Sequence, residues 1–584
     1  MTSKATTDVR HTQCHSEGPT GELPRVERAA LVTPCEGCII GPMASTTNES
    51  PGITAAERIL IATLLLLALI VRFIPGPRII DDAYITFRYA RNLIAGNGFV
   101  YNPGERVLGT TTPLYTLVLA GLSLVTGSRD FPALALVVNA LAGTASVGLL
   151  YVLGKRLARH RGLAVATALL WAVAPYSVTF AVGGMETDLT VALLLAAAYA
   201  HVAGCPRALA ALSALTLLAR PDTAILLVLL WLDQFKFEIR NSRFEIQRIP
   251  WREGLITLMI LAPWLIFGTL TFGSPLPASI AAKSAAYRIS PGADLVRLIQ
   301  HYSTPFFADA LLGAPWRLIG FVVYLLLCGL GGLRVVRRDR RAWPLLVYPY
   351  LYLVTFAAAN PLLFRWYLSP PLPFYFLFIL TGVWTLARDL GRSLSNLKPE
   401  TLKLETVPLI ILALFAAAAL ALTLNAWTLH PDHGPDRPAP EMAWFKLELL
   451  YAQAADVVLS HAAPGDTLCA GDIGTLGYVT DMPILDTVGL VTPQATRYYP
   501  ADPGIYIINY AIPADLVLAL DPDYIVILEV YGRRGLLTDP RFQARYRLLE
   551  KIETDIYGSD GMLIFARSTT TWRWHFGPDG ANTE

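Results

Sequence analysis

Charge is scarce in this chain. Lys, Arg, Asp and Glu supply 16% of its 584 residues, where a soluble protein carries about 25%. The formal net charge of +2 points to no nucleic-acid partner; where the charges stand matters more than their sum. Cysteine is sparse too. Six over this length do not make a disulfide framework. Cys328 lies in an apolar run, and Cys14, Cys35 and Cys38 lie in the N-terminal tail. "CEGC" there is one CxxC without a second half, short of a four-ligand zinc site. No Walker lysine motif, HExxH or nucleophile elbow is present. Residues 1–58 are polar and aperiodic and lack the apolar centre of a signal peptide, so they read as a disordered cytoplasmic tail. Met43, just before a short polar leader, stands beside Met1 as a candidate start of translation.

What the chain has in quantity is apolar sequence. Hydrophobic residues make up 54%, gathered in runs at 59–74, 113–127, 131–153, 163–182, 188–204, 208–219, 223–234, 252–272, 317–333, 343–360, 366–386 and 405–428. This is the pattern of a polytopic α-helical membrane protein, although several runs are shorter than the roughly 20 residues a span needs. Orientation comes from the basic loops: "GKRLARHRG" (154–162), "KFEIRNSRFEIQR" (236–248), "RVVRRDRR" (334–341) and "ARDLGRSLSNLKPETLK" (387–403). All four fall on the cytoplasmic side if 113–127, which starts at Pro113, lies in the interface as a juxtamembrane helix. The expectation is about 11 transmembrane helices over 59–428, N-terminus inside, and a C-terminal extracytoplasmic α/β domain over 429–584. In that domain 441–460 reads as a helix, and "DTLCAGDIG", "PDYIVILEV" and "GMLIFARS" read as strands. The localisation is a multi-pass cell membrane protein.

That topology sorts the polar motifs onto one face. The outer side receives the 75–112 loop, "GGMETD" (183–188), "ARPD" (219–222), "GSPLPASIAAK" (273–283) and "NPLLFRWY" (360–367). Active sites favour such loops on a rigid scaffold. In "DDAYITFRYARNLIAGNG" the spacing predicts a helix with Ala83, Phe87, Ala90 and Ile94 on one side, a second stripe of Tyr84, Arg88 and Arg91, and a glycine stop. Asp82 is a natural N-cap; Asp81 has no such duty. A partly desolvated carboxylate at the membrane surface serves as a general base, and Asp81 is the slight favourite of the two for that role. Arg88 and Arg91 have the fork that suits a phosphate, against the alternative of snorkelling to headgroups. Glu186 and Asp188 stand at a helix junction, where Asp188 serves equally well as a cap. Arg220 and Asp222 lie between two short apolar runs, as a site or as a mutual ion pair. Lys283, Arg365 and Tyr367 join them on the outer face. "GDIGTLGYVT" (471–480) lacks the GxGxxG spacing of a nucleotide turn.

These pieces, in order over about residues 60–500, resemble the GT-C membrane glycosyltransferases that use polyprenyl-phosphate-linked sugars. The resemblance is to the arabinofuranosyl-, galacturonosyl- and mannosyltransferase-like group. It rests on "DDAYITFRYARNLIAGNGFVYNPGERVLGTTTPLY", "GGMETDLT", "ARPD", "GSPLPASIAAK", "RWYLSPPLP" and "GDIGTLGYVTDMPILDTVGLV". It implies a helical bundle with a large first outer loop and an acidic general base in that loop, hence Asp81 or Asp82. It implies an inverting transfer from a polyprenyl-phosphate donor to a glycan, lipid or protein acceptor. Lys283, Arg365 and Arg220 match positions of phosphate or sugar contact. No cofactor is required by the resemblance; a divalent metal is compatible with it, and no metal ligands are assigned. Where similar sequences read "GYTNPLW" or "GYTNFLW", this one has "LGTTTPLY" (108–115), so neither the acceptor contact nor arabinose carries over. The competing reading is a transporter or flippase for a lipid-linked sugar, which the clustering of charge on one face and the lack of an inverted repeat disfavour.

Overall fold

The computed structural model describes residues 54–240, 243–397, 406–428 and 445–568. The tail with its CxxC, Met43 and much of the 387–403 loop lie outside the described residues.

The membrane part begins with α1 (Ala55–Phe73), which ends at the first loop. Then come α2 (Asp81–Ile94), α3 (Pro113–Thr126), α4 (Phe131–Ala158), α5 (Arg161–Val173) and α6 (Pro175–Val182). Pro175 bends α5 and α6 by 42° relative to each other, since a proline removes a ladder donor and starts a new helix. Next are α7 (Thr187–Ala203), α8 (Pro206–Ala219), α9 (Ala224–Gln234) and α10 (Trp251–Phe272). They are followed by α11 (Ala278–Ala286), α12 (Ala293–Ser303), α13 (Asp309–Leu312), α14 (Trp316–Val336), α15 (Trp343–Ala359), α16 (Leu372–Leu397) and α17 (Val407–Asn425). Six of the described helices are long and apolar enough to cross a membrane, seven if the bent α5–α6 pair counts as one span. The shorter apolar helices α3, α7 and α8 fall below that length. The basic segment 236–248 is not a plain loop: β1 (Lys236–Arg240) pairs antiparallel with β2 (Arg243–Arg248).

The bundle has two chemically different ends. At one, Lys155 pairs with Glu57, Arg156 and Arg341 reach the Val202 carbonyl, and His201 meets Asp233. At the other lie the first loop, the 183–188 junction, 219–222, α11 and 363–368. The core between them is built from α4, α5, α7, α14 and α16, with Trp171, Tyr302 and Phe376 buried.

The C-terminal part contains α18 (Lys446–Leu459), β3 (Leu468–Ala470), α19 (Gly474–Thr480), β4 (Ile484–Asp486), β5 (Tyr524–Leu528), β6 (Tyr546–Ile552) and β7 (Met562–Arg567). The five strands form one mixed sheet in the order β4-β3-β5-β7-β6. β3 is parallel to β4 and β5, and β7 is antiparallel to β5 and β6. The three expected strands and the helix are present; β4 and β6 are additional.

Helix α2 joins the two parts. Ala83, Phe87 and Ala90 pack on the bundle with Tyr115, Phe131 and Phe180. Its other face, Ile85 and Tyr89, belongs with Phe99 and Tyr101 to the core of the sheet domain. The predicted apolar stripe is therefore real, and a second one lies opposite it.

Candidate active site

One pocket gathers six of the ten predicted residues. Asp82, Glu186, Arg220, Asp222, Lys283 and Tyr367 line it, with hydroxyls of Thr86, Thr110, Thr111, Thr112 and Ser279 and apolar walls from Ile85, Met185, Trp366 and Leu490. Asp82 and Thr86, one turn apart on α2, face inward together. Lys283 on α11 donates to Asp82 Oδ2 at 3.1 Å, and its ammonium lies 4.4 Å from the centre of the Phe364 ring. Burial pulls the Lys283 ammonium down, but Asp82, Tyr367 and Asp472 together outweigh it and lift the group above the ordinary lysine range.

The second half of the pocket is an arginine between two acids. Arg220 grips Asp222 with both arms of its fork, Nε to Oδ1 at 2.9 Å and Nη2 to Oδ2 at 3.0 Å. Its Nη1 lies 3.6 Å from Glu186 Oε1 and donates to the Trp366 carbonyl, and its guanidinium sits 4.6 Å from the Tyr367 ring centre. Tyr352 closes the network by donating to Asp222 Oδ2 at 3.1 Å. The mutual ion pair and the site reading of "ARPD" are thus both satisfied: the pair holds, and it faces the pocket. Burial pushes the Glu186 carboxyl up, with Arg220 opposing. Asp188, two residues on, turns away from the pocket toward Arg72 of α1, at 3.9 Å.

The other predicted residues have different duties. Asp82 is not the cap of its own helix: α2 begins at Asp81, and its N-cap Ile80 offers no side-chain bond. Asp81 does not face the pocket. Its carboxylate accepts from the backbone N–H of Gly474 at 2.9 Å and of Thr475 at 2.7 Å, so it caps α19, 393 residues away in sequence. Its own N–H donates to Glu448. Burial raises the Asp81 carboxyl to about 7; neighbouring Asp472 adds to this and the two amides oppose it.

Arg88 is no phosphate ligand here. It is fully buried and donates to the carbonyls of Tyr101, Gly477 and Met482 and to Asn102 Oδ1. Arg91 bonds the Tyr478 carbonyl and pairs with Asp481 at 2.7 Å. Both arginines satisfy the C-terminal carbonyls of α19, as Asp81 satisfies its N-terminal amides, so the charges of α2 complement the dipole of its neighbour at both ends. Arg365 does not line the pocket; its charge is felt by Tyr557 of the sheet domain.

The glycine-rich "GDIGTLGYVT" has its explanation in the same contact. A Cβ on Gly474 would lie 1.8 Å from the Asp81 carbonyl, and one on Gly477 would lie 1.9 Å from the Tyr101 hydroxyl. The turn is glycine-rich because α2 presses on it, not because a nucleotide does.

Sequence reasoning did not single out Thr86, Ser279 or Leu490. "LGTTTPLY" departs from similar sequences, yet its Thr110 and Thr112 line the pocket, and their hydroxyls form a relay with Thr86 at 3.1 and 3.3 Å. Among the described residues no three His, Cys, Asp or Glu side chains gather at metal-ligand spacing.

Comparison with known proteins places this architecture. Residues 442–573 match a family model described as a domain of unknown function, DUF8728. A terminal β-(1→2)-arabinofuranosyltransferase of Mycobacterium tuberculosis is 37% identical over 123 residues, a stretch that is 20% of either chain. The chain therefore matches a fifth of the length of that curated relative. The crystal structure of ArnT from Cupriavidus metallidurans in the apo state superposes with a TM-score of 0.53 at 14% identity, over 88% of this chain and 98% of that one. The same protein bound to undecaprenyl phosphate gives 0.50 at 13% identity over the same shares. The chain is a multi-pass membrane protein with a GT-C fold, carrying a sheet domain at its C-terminus.

Proposed function

We propose that this protein is a membrane glycosyltransferase that moves a sugar from a polyprenyl-phosphate donor to an acceptor hydroxyl outside the cytoplasm. The observation that carries this reading is the acid–lysine pair, Asp82 with Lys283, in a pocket of hydroxyls at the loop end of a GT-C bundle. The printed name of the curated relative supports sugar transfer, and the ligand of the second ArnT structure supports a polyprenyl phosphate. The basic loops of the sequence, with the Lys155, Arg156 and Arg341 contacts at the end opposite the pocket, support an outward-facing pocket, about eleven spans and a cytoplasmic N-terminus.

In this mechanism the donor phosphate enters beside Lys283 and competes with Asp82 for its ammonium. Binding the donor thereby releases the Asp82 carboxylate, which takes the proton of the acceptor hydroxyl. The hydroxyl oxygen attacks the anomeric carbon as the bond to the lipid phosphate breaks, giving inversion in one displacement. Lys283 stabilises the charge that develops on the departing phosphate. Asp222 keeps Arg220 oriented, so that its face toward Glu186 and Tyr367 serves the sugar. The base is thus Asp82 rather than Asp81, whose oxygens are already engaged by two amides. The test is to incubate the purified protein with undecaprenyl-phosphate-linked sugars and an acceptor glycan. Released undecaprenyl phosphate with a glycosylated acceptor is expected. Movement of the intact lipid-linked sugar across proteoliposomes, with no release, would replace this reading by the flippase.

A further inference from the structure

We propose that the C-terminal domain, whose residues 442–573 match a domain of unknown function, is a jig that holds Asp82 and Lys283 against each other. This rests on the reading of those two residues as the working pair. They are 201 residues apart in sequence and stand on separate short helices, α2 and α11, neither of which spans the bundle. Each helix is gripped by the same domain. On the α2 side, Asp81, immediately before the base, is bonded to the Gly474 and Thr475 amides, and Arg88 holds the other end of α19. On the α11 side, Ala286 is fully buried in the domain's core, Arg288 donates its backbone N–H to the Asn509 carbonyl at 2.8 Å, and a Cβ on Gly489 would touch Ala282 at 3.4 Å.

The spacing of the pair is therefore set by a body that touches both helices. Asp81 is a positioning residue: it contacts no reacting atom, but fixes where α2 begins and so where Asp82 points. The domain also supplies Leu490 to the pocket wall, on the turn that Asp486 cages by accepting from the amides of Val488, Gly489 and Val491. A domain that merely covered the site or recruited an acceptor would have no need to grip both helices behind the pair.

The experiment uses the full-length protein in detergent, without substrate. Gly477→Leu places a side chain where Tyr101 and Arg88 lie, outside the pocket. Asp81→Ala, which removes both oxygens that accept from the Gly474 and Thr475 amides, is the second variant in case the first does not fold. Hydrogen exchange of 474–480 reports release of α19, and acylation of Lys283 by an amine-reactive ester, read by mass spectrometry, reports the state of the pair. We expect Lys283 labelling to rise about tenfold together with exchange in 474–480, with exchange in α4 unchanged. Release of 474–480 with Lys283 labelled at the wild-type rate would overturn the jig. So would wild-type protection of 474–480 in both variants. Neither result touches the glycosyl-transfer reading, and absence of turnover in the earlier assay leaves the labelling result standing.

Discussion

At the residue scale, two adjacent carboxylates have opposite duties because consecutive helix positions point about 100° apart. Asp82→Asn leaves the Lys283 contact sterically intact and removes the proposed base, so kcat is expected to fall by about 10²–10⁴. Lys283→Met is expected to raise the KM for the lipid donor as well as lower kcat, since its charge acts on the phosphate before and during transfer; steady-state kinetics over donor concentration separates the two. Equal activity of wild type and Asp82→Asn would remove Asp82 from the mechanism. Arg88→Met would take the arginine's bonds from the buried carbonyls of Gly477 and Met482, a loss of about 3 kcal/mol or more, read as a lowered unfolding midpoint. The identity of the pocket acids and of Lys283 was legible in the sequence, because residue type, loop position and membrane side all agreed. The duties of Arg88 and Asp81 were not. Their partners lie 389 and 393 residues away, and nothing local distinguishes an arginine awaiting a phosphate from one that already holds three carbonyls.

At the element scale, the seam between α2, α18 and the turn before α19 is rich in acid. Burial raises the Glu448 carboxyl to about 8, with Asp81 adding to it, and raises Asp472 as well. Tyr451 donates to Asp472; Lys283 and Asp82 are the charged groups on the pocket side. Both Asp81 and Glu448 have folded values above their ordinary ones of 3.8 and 4.5, so the docked state binds more protons than the undocked one between those limits. Docking is therefore strongest in mild acid and weakens as pH rises from about 4 to about 8. Hydrogen exchange in 474–480, corrected for intrinsic rate, should accelerate over that window; an opposite slope would mean that the amides outweigh burial and hold Asp81 ionised. The strands β3, β5 and β7 were legible because their apolar runs are nearly continuous, as in buried strands. β4 is two apolar residues and the acid Asp486, and β6 alternates toward solvent with charged residues, so neither stands out from its surroundings.

At the scale of the whole molecule, the bundle separates a basic end from the end that holds the pocket. Single cysteines at Gln494, on the sheet domain, and at Arg340, among the basic loops, should behave oppositely. A membrane-impermeant maleimide on intact cells is expected to label the first and not the second; the reverse would invert the orientation. The two-ended architecture was legible because the positive-inside rule acts on whole loops and needs no long-range contacts. The hairpin of β1 and β2 within a basic loop was not, because its strands of five and six residues read as basic loop sequence, KFEIR and RFEIQR.

The charge-matched contact between α2 and α19 limits how freely such proteins can be recombined. A chimaera that takes its C-terminal domain from a relative would meet an α2 whose acid and arginines were set for a different neighbour. Exchange should succeed only when the first outer loop, residues 81–102, travels with the domain, so the unit of inheritance here is a pair of segments at opposite ends of the chain.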